Sequence, residues 1–186
     1  MGSPFFNLYF GKINTRMIDV EINSLLEIAN LIEHSNNNSG KVILVGNGGS
    51  ASIASHLSID LTKAANIRSI NFNESSLLTC FANDYGYENW VSNALDFYAD
   101  KNDIVILISS SGQSKNILNA AIKAKEMGLP VITLSGFLDN NPLKNQGDIN
   151  LWVNSSEYNV VETVHQSWLL SIVEFLIVNS NRLNKS

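Results

Sequence analysis

The sequence predicts an α/β fold, a doubly wound parallel sheet of about five strands flanked by helices, and three observations carry that expectation. Short β-branched runs alternate with helical periodicities along the chain. Two of those runs pass directly into glycine- or serine-rich loops that open helices. The composition, 45% hydrophobic and 16% charged over 186 residues, is enough for one self-sufficient core, so a single domain over residues 1–186 is expected.

Apolar residues Ile18, Ile22, Leu25, Ala29 and Ile32 follow helical spacing and predict a first amphipathic helix over about 18–34, broken by Asn36 to Gly40. Lys41 to Val45, ending at Gly46, reads as a buried strand. A glycine loop and a helix to about Thr62 follow, and Arg68 to Phe72 alternates as a second strand. Two short helices are expected over 75–82 and 88–98, separated by the turn-prone Asn83-Asp84-Tyr85-Gly86. The pattern then repeats: strand Asp103 to Ile108, polar loop Ser109 to Ser114, and helix Lys115 to Met127, stopped by Gly128 and Pro130. Strands over 131–135 and 148–153 precede a closing helix over about 160–178. Parallel neighbours need crossover connections, which the intervening helices supply. Ligands of such sheets bind beyond the carboxyl ends of the strands, where both loops lie.

The net charge of -5, from 12 basic and 17 acidic side chains, provides no global positive field for nucleic acid or an anionic membrane. Any anion must be bound locally. The single cysteine, Cys80, excludes an intramolecular disulfide and a cysteine-built zinc site, and is expected to be a small buried residue. No run reaches the ~18 apolar residues of a membrane span, and the first 17 residues lack a basic segment followed by an apolar one, so a cytoplasmic protein is expected.

The first loop is Gly46-Asn47-Gly48-Gly49-Ser50-Ala51. Its glycines permit positive φ and close approach of a ligand, while the helix it opens offers unpaired N–H groups and a positive dipole end. Gly46, Gly48 and Ala51 also satisfy the loose dinucleotide pattern, but no acidic residue ends the second strand about twenty residues on. The second loop, Ser109-Ser110-Ser111-Gly112-Gln113-Ser114, offers four hydroxyls and another helix start, enough to surround a phosphate with neutral donors. Read alone, these serines could be turn and N-cap residues. Two such loops in register point to a phosphorylated ligand.

In order, Gly46-Asn47-Gly48-Gly49-Ser50, Leu78-Thr79 with Ala82-Asn83-Asp84-Tyr85-Gly86-Tyr87-Glu88, and Ile108 to Ser114 resemble the successive motifs of the phosphoheptose isomerases, within the sugar isomerase (SIS) domain superfamily. The resemblance runs from about Lys41 to the closing helix. It implies that Ser50, Ser109, Ser110, Ser111 and Ser114 hold the sugar phosphate, with Gly48 in the same loop, and that Asn47 and Asp84 contact the sugar chain. It also implies a homotetramer with sites between subunits. The family's reaction converts sedoheptulose 7-phosphate into an aldoheptose 7-phosphate for surface polysaccharide such as lipopolysaccharide or capsule.

Interconverting a ketose and an aldose moves a proton between adjacent carbons through an enediol, which requires a base facing the substrate. His56 and Asp60 are four apart on one predicted helix, and Glu162 and His165 three apart on another, so the two pairs could face one cleft. Each could equally be a satisfied polar residue at a helix or subunit contact. By the resemblance Asp60 stands where the family's base is a glutamate, Glu162 where it has glutamine, and Leu170 where it has a general-acid histidine. Asp60, Glu162 and His165 are therefore the candidate catalytic residues. Zinc-holding members use positions matching His56, Asp60, Glu162 and Leu170, which leaves three candidate ligands for a possible zinc. The alternative reading is a non-catalytic relative that binds a sugar phosphate or a protein partner, as replication-initiator-associating proteins of the superfamily do.

Overall fold

The computed structural model describes residues 2–183. Helices α1 (Gly2–Ile18) and α2 (Ile22–Asn37) precede strand β1 (Val42–Gly46) and helix α3 (Gly49–Lys63). The short strand β2 (Ser69–Asn71) leads into α4 (Ser75–Tyr85) and α5 (Trp90–Tyr98). Strand β3 (Ile104–Ser109), helix α6 (Lys115–Glu126), strands β4 (Val131–Ser135) and β5 (Ile149–Trp152), and helix α7 (Tyr158–Leu183) complete the order. All strand pairs are parallel, in the order β2-β1-β3-β4-β5, so the expected five-stranded α/β architecture is present.

The sheet is buried on both faces, which explains the unbroken apolar runs of β1 and β3. One face carries Val42, Leu44, Ile104, Ile106 and Ile108 against α2, α3 and α7; the other carries Ile43, Val45, Val105 and Leu107 against α5 and α6. At the amino ends of β1 and β3, the buried Lys41 ammonium meets Asp103 at 2.6 Å, and Asp103 also accepts from the backbone N–H groups of Lys41 and Asp100. That satisfies a charge pair that would otherwise be costly to bury.

Several expectations need correction. The helix expected over 18–34 is α2 and starts only at Ile22: Asp19 to Glu21 break the chain after α1, a helix not among those expected from the sequence, and Ile18 and Ile22 are exposed instead of lying on one buried stripe with Ala29 and Ile32. Helix α4 runs through Asn83 and Asp84 to Tyr85 and stops at Gly86, whose φ of 80° needs no Cβ penalty. The expected turn at 83–86 therefore moves to residues 86–89, and α5 begins at Trp90 instead of Glu88. Cys80 is exposed, because α4 buries none of its residues fully. Helix α7 is long and apolar enough to cross a membrane by length and composition, yet it packs Val160, Val164, Leu169, Ile172 and Leu176 into the core beside α1, α2 and α3.

Candidate active site

Strand order reverses between β1 and β3, and the loops leaving these two adjacent strands part to opposite faces of the sheet at that point. The glycine loop is shaped by Gly48, with φ 55° and ψ -122° at the N-cap of α3, a conformation that disfavours any side chain. The serine loop turns at Gly112, φ 65°, and passes into α6 through Ser114. Ser114 occupies the N-cap position without capping the helix; its hydroxyl instead accepts from Ser109 Oγ at 3.3 Å.

Between the loops lies a cleft lined by Asn47, Ser50, Ser109, Ser110, Ser111, Ser114, Tyr158 and Glu162. Six of the residues singled out in the sequence for a phosphorylated ligand thus converge, with Gly48 exposed on the glycine loop beside them. A larger cleft of about 520 Å³ lies beside Lys12 and Arg16, but it has only the hydroxyls of Ser155 and Ser156 and does not bring two helix starts together. Asp84 does not line the cleft. It is exposed at the end of α4 and accepts from its neighbour Asn83 at 2.9 Å. Tyr87, a few residues on, instead donates to Asn47 Oδ1 at 3.1 Å.

The serine loop is braced from behind by Asn141, a residue sequence reasoning missed. Asn141 is 1% exposed and donates to Ser135 Oγ and the carbonyls of Gly136 and Leu138, while its Oδ1 accepts from Lys144 N–H. Its side chain presses on Gly112 so closely that a Cβ there would overlap it. The Asn141-Pro142 pair was a legible turn signal, since Asn caps and Pro starts the 3₁₀ turn Pro142–Asn145.

Of the candidate acid and base groups, His56 and Asp60 do meet: Nε2 lies 3.2 Å from Oδ2, and both side chains reach solvent. Gln166 of α7 faces His56, its Nε2 3.1 Å from Nδ1, and so completes a row of three polar groups across α3 and α7. Gln166 was also missed, although it lies four residues beyond Glu162 and hence on the same helix face.

Glu162 and His165 do not share the cleft. Glu162 does line it, with Oε1 3.5 Å from Ser110 Oγ and its carboxylate against Gly49. His165 turns into the core instead: it is fully buried and its Nε2 donates to Ser135 O at 3.0 Å. Three residues advance a helix by 300°, and that 60° offset separates an edge position from a core one. Burial lowers the His165 pKa to about 4, opposed by its bond to Ser135, so the ring is neutral. The possible zinc set is not assembled. Among the described residues no three His, Cys, Asp or Glu side chains converge as for a metal; Glu162 is engaged at Gly49 and Ser110, and Leu170 packs on the core.

The chain matches the SIS domain family over residues 6–136. It is similar to the phosphoheptose isomerase of Helicobacter pylori strain HPAG1, 39% identical over 134 residues and covering 69% of each chain. The phosphoheptose isomerase of Glaesserella parasuis is 34% identical over 158 residues, covering 80% of this chain and 82% of its own. In fold it superposes on the phosphoheptose isomerase GmhA of Neisseria gonorrhoeae with a TM-score of 0.87 at 23% identity, covering 95% of this chain and 98% of that one. With this fold, these two loops and relatives at that identity over most of their length, the chain belongs to the phosphoheptose isomerase family of SIS-domain proteins.

Proposed function

We propose that this protein isomerises sedoheptulose 7-phosphate to an aldoheptose 7-phosphate through an enediol. The observation that carries this reading is the cleft in which Ser50, Ser109, Ser110, Ser111 and Ser114 gather at the starts of α3 and α6. Neutral hydroxyls and helix N-termini suit a phosphate dianion. His56 and Asp60 follow Ser50 by six and ten residues, about 9 and 15 Å along the axis of α3. A phosphate in the serine loop therefore requires a long sugar chain to bring its reacting carbons near that pair, and a heptose phosphorylated at its far end has that form.

In this reading Asp60 removes the proton from the carbon next to the carbonyl and returns it to the adjacent carbon, while His56 holds the carboxylate oriented. Glu162, beside Ser110, assists proton movement at the oxygens; His165 is a supporting residue of the core. No step is assigned to zinc.

The reading includes a cytoplasmic homo-oligomer, a tetramer by family resemblance, that contributes to surface-polysaccharide synthesis. Exposed Phe5, Phe6, Leu8 and Phe10 of α1, Ile22 and Leu26 of α2, and Phe175 of α7 support burial against further subunits. Sedimentation of the purified protein tests the assembly. Proton NMR with sedoheptulose 7-phosphate in deuterated water tests the reaction. Aldose signals with deuterium at the carbon next to the carbonyl are expected; binding without exchange would instead favour a non-catalytic sugar-phosphate protein.

A further inference from the structure

Asn47 sits in the cleft with most of its hydrogen-bonding capacity already committed. Its Nδ2 donates to Asn116 Oδ1 at 3.0 Å, and Asn116 Nδ2 donates back to Asn47 Oδ1 at 2.9 Å. Tyr87 Oη adds a second donor to the same Oδ1 at 3.1 Å. An amide has two acceptor positions on oxygen and two hydrogens on nitrogen. Both acceptor positions and one hydrogen are therefore used, and one N–H is left with no other partner among the described residues.

The two groups that impose this are themselves held in place. Asn116 is 2% exposed in the first turn of α6, directly after the serine loop. Tyr87 lies in the short link between α4 and α5, which is fastened to α6 by the Lys115–Glu88 ion pair at 2.8 Å. Bonds from Asn119 Nδ2 to Glu88 O and Asn89 Oδ1 fasten it further. Three segments distant in sequence thus meet at one side chain.

Resting on the isomerase reading above, we propose that Tyr87 and Asn116 are positioning residues that fix Asn47 as a one-way donor. Asn47 then selects a ligand carrying an acceptor oxygen, a carbonyl or hydroxyl of the sugar chain, at a set distance from the phosphate. The serine loop holds the phosphate without Asn47. Loss of the lock should therefore weaken a sugar phosphate and leave inorganic phosphate unaffected, a split that general loosening of the fold would not produce.

The test uses Tyr87→Phe, which keeps the ring and removes only the hydroxyl of an exposed residue, beside Asn116→Asp, which places a carboxylate oxygen against Asn47 Oδ1. Calorimetric Kd values for sedoheptulose 7-phosphate and inorganic phosphate are measured with kcat and KM. Tyr87→Phe is expected to weaken the sugar phosphate about five-fold, and Asn116→Asp more, with the Kd of inorganic phosphate unchanged. Equal Kd values for wild type and Tyr87→Phe, or parallel weakening of both ligands, would overturn the proposal. If the wild-type protein binds the sugar phosphate without turning it over, the isomerase reading alone fails, and the Kd ratio still decides the role of Tyr87.

Discussion

His165 Nε2 donates to the carbonyl oxygen of Ser135 at 3.0 Å, tying the core face of α7 to the end of β4. The ring is fully buried, its Nδ1 has no partner among the described residues, and burial holds its pKa near 4 against an ordinary 6.5. Above pH 6.5 the ring is neutral in folded and unfolded chains alike. Between pH 6.5 and 4 only the unfolded chain takes up the proton, so stability falls as pH falls. The loss is on the order of 3 kcal/mol across that window. The carboxyls held below their ordinary values, Glu74 by backbone N–H groups and Asp100 by Lys41, act at lower pH. Urea denaturation at pH 7.5 and 5 should show a clear drop for the wild type. His165→Gln, which keeps a donor but cannot titrate, should flatten the difference; an equal drop would remove His165 as its source.

The sheet and its two loops were legible because β-branched runs and loop punctuation are local signals. Ser109, Ser110, Ser111 and Ser114 line one cleft for the same reason, as neighbours within one six-residue strand-to-helix turn. What the pattern could not carry was direction around a helix and contact across segments. Glu162 and His165 read as one pair from their spacing, yet one faces the cleft and the other the core. Tyr87 meeting Asn47, and Gln166 meeting His56, join positions 40 and 110 residues apart, and no local periodicity reports such contacts.

Gly49 is the second place to test. It begins α3 directly under the Glu162 carboxylate, and a Cβ there would overlap Oε2. Alanine favours helix over glycine by up to about 1 kcal/mol, so Gly49→Ala should leave Tm unchanged or slightly raised. The displaced carboxylate should lose its place beside Ser110, lowering kcat by about ten-fold or more. A large fall in Tm would show that the flexible Glu162 side chain cannot move aside, and full activity would show that its position is immaterial.

Ser111 tests the phosphate end. Its hydroxyl lines the cleft and accepts from Gln113 N–H at 3.3 Å, a weak loop contact. Ser111→Ala should weaken inorganic phosphate and the sugar phosphate alike, by about ten-fold for one hydrogen bond to a charged group, with the fold intact by circular dichroism. Unchanged affinity for both would move the phosphate elsewhere.

Asp60 tests the chemistry, and its distance from the serine loop makes the outcome interpretable. Asp60→Asn keeps shape and hydrogen-bonding size but cannot accept the substrate's proton, so kcat should fall by about 100-fold or more while the Kd of the sugar phosphate changes little. Retained turnover would remove Asp60 as base. Asp60→Glu supplies the informative contrast, because the carboxylate would reach one methylene further from α3 toward Gln166 and His56. If this chain has adjusted its cleft to the shorter acid, the longer one overshoots and kcat drops. A gain in kcat would mean that the shorter side chain leaves the base short of the reacting carbon, so that reach rather than basicity limits turnover.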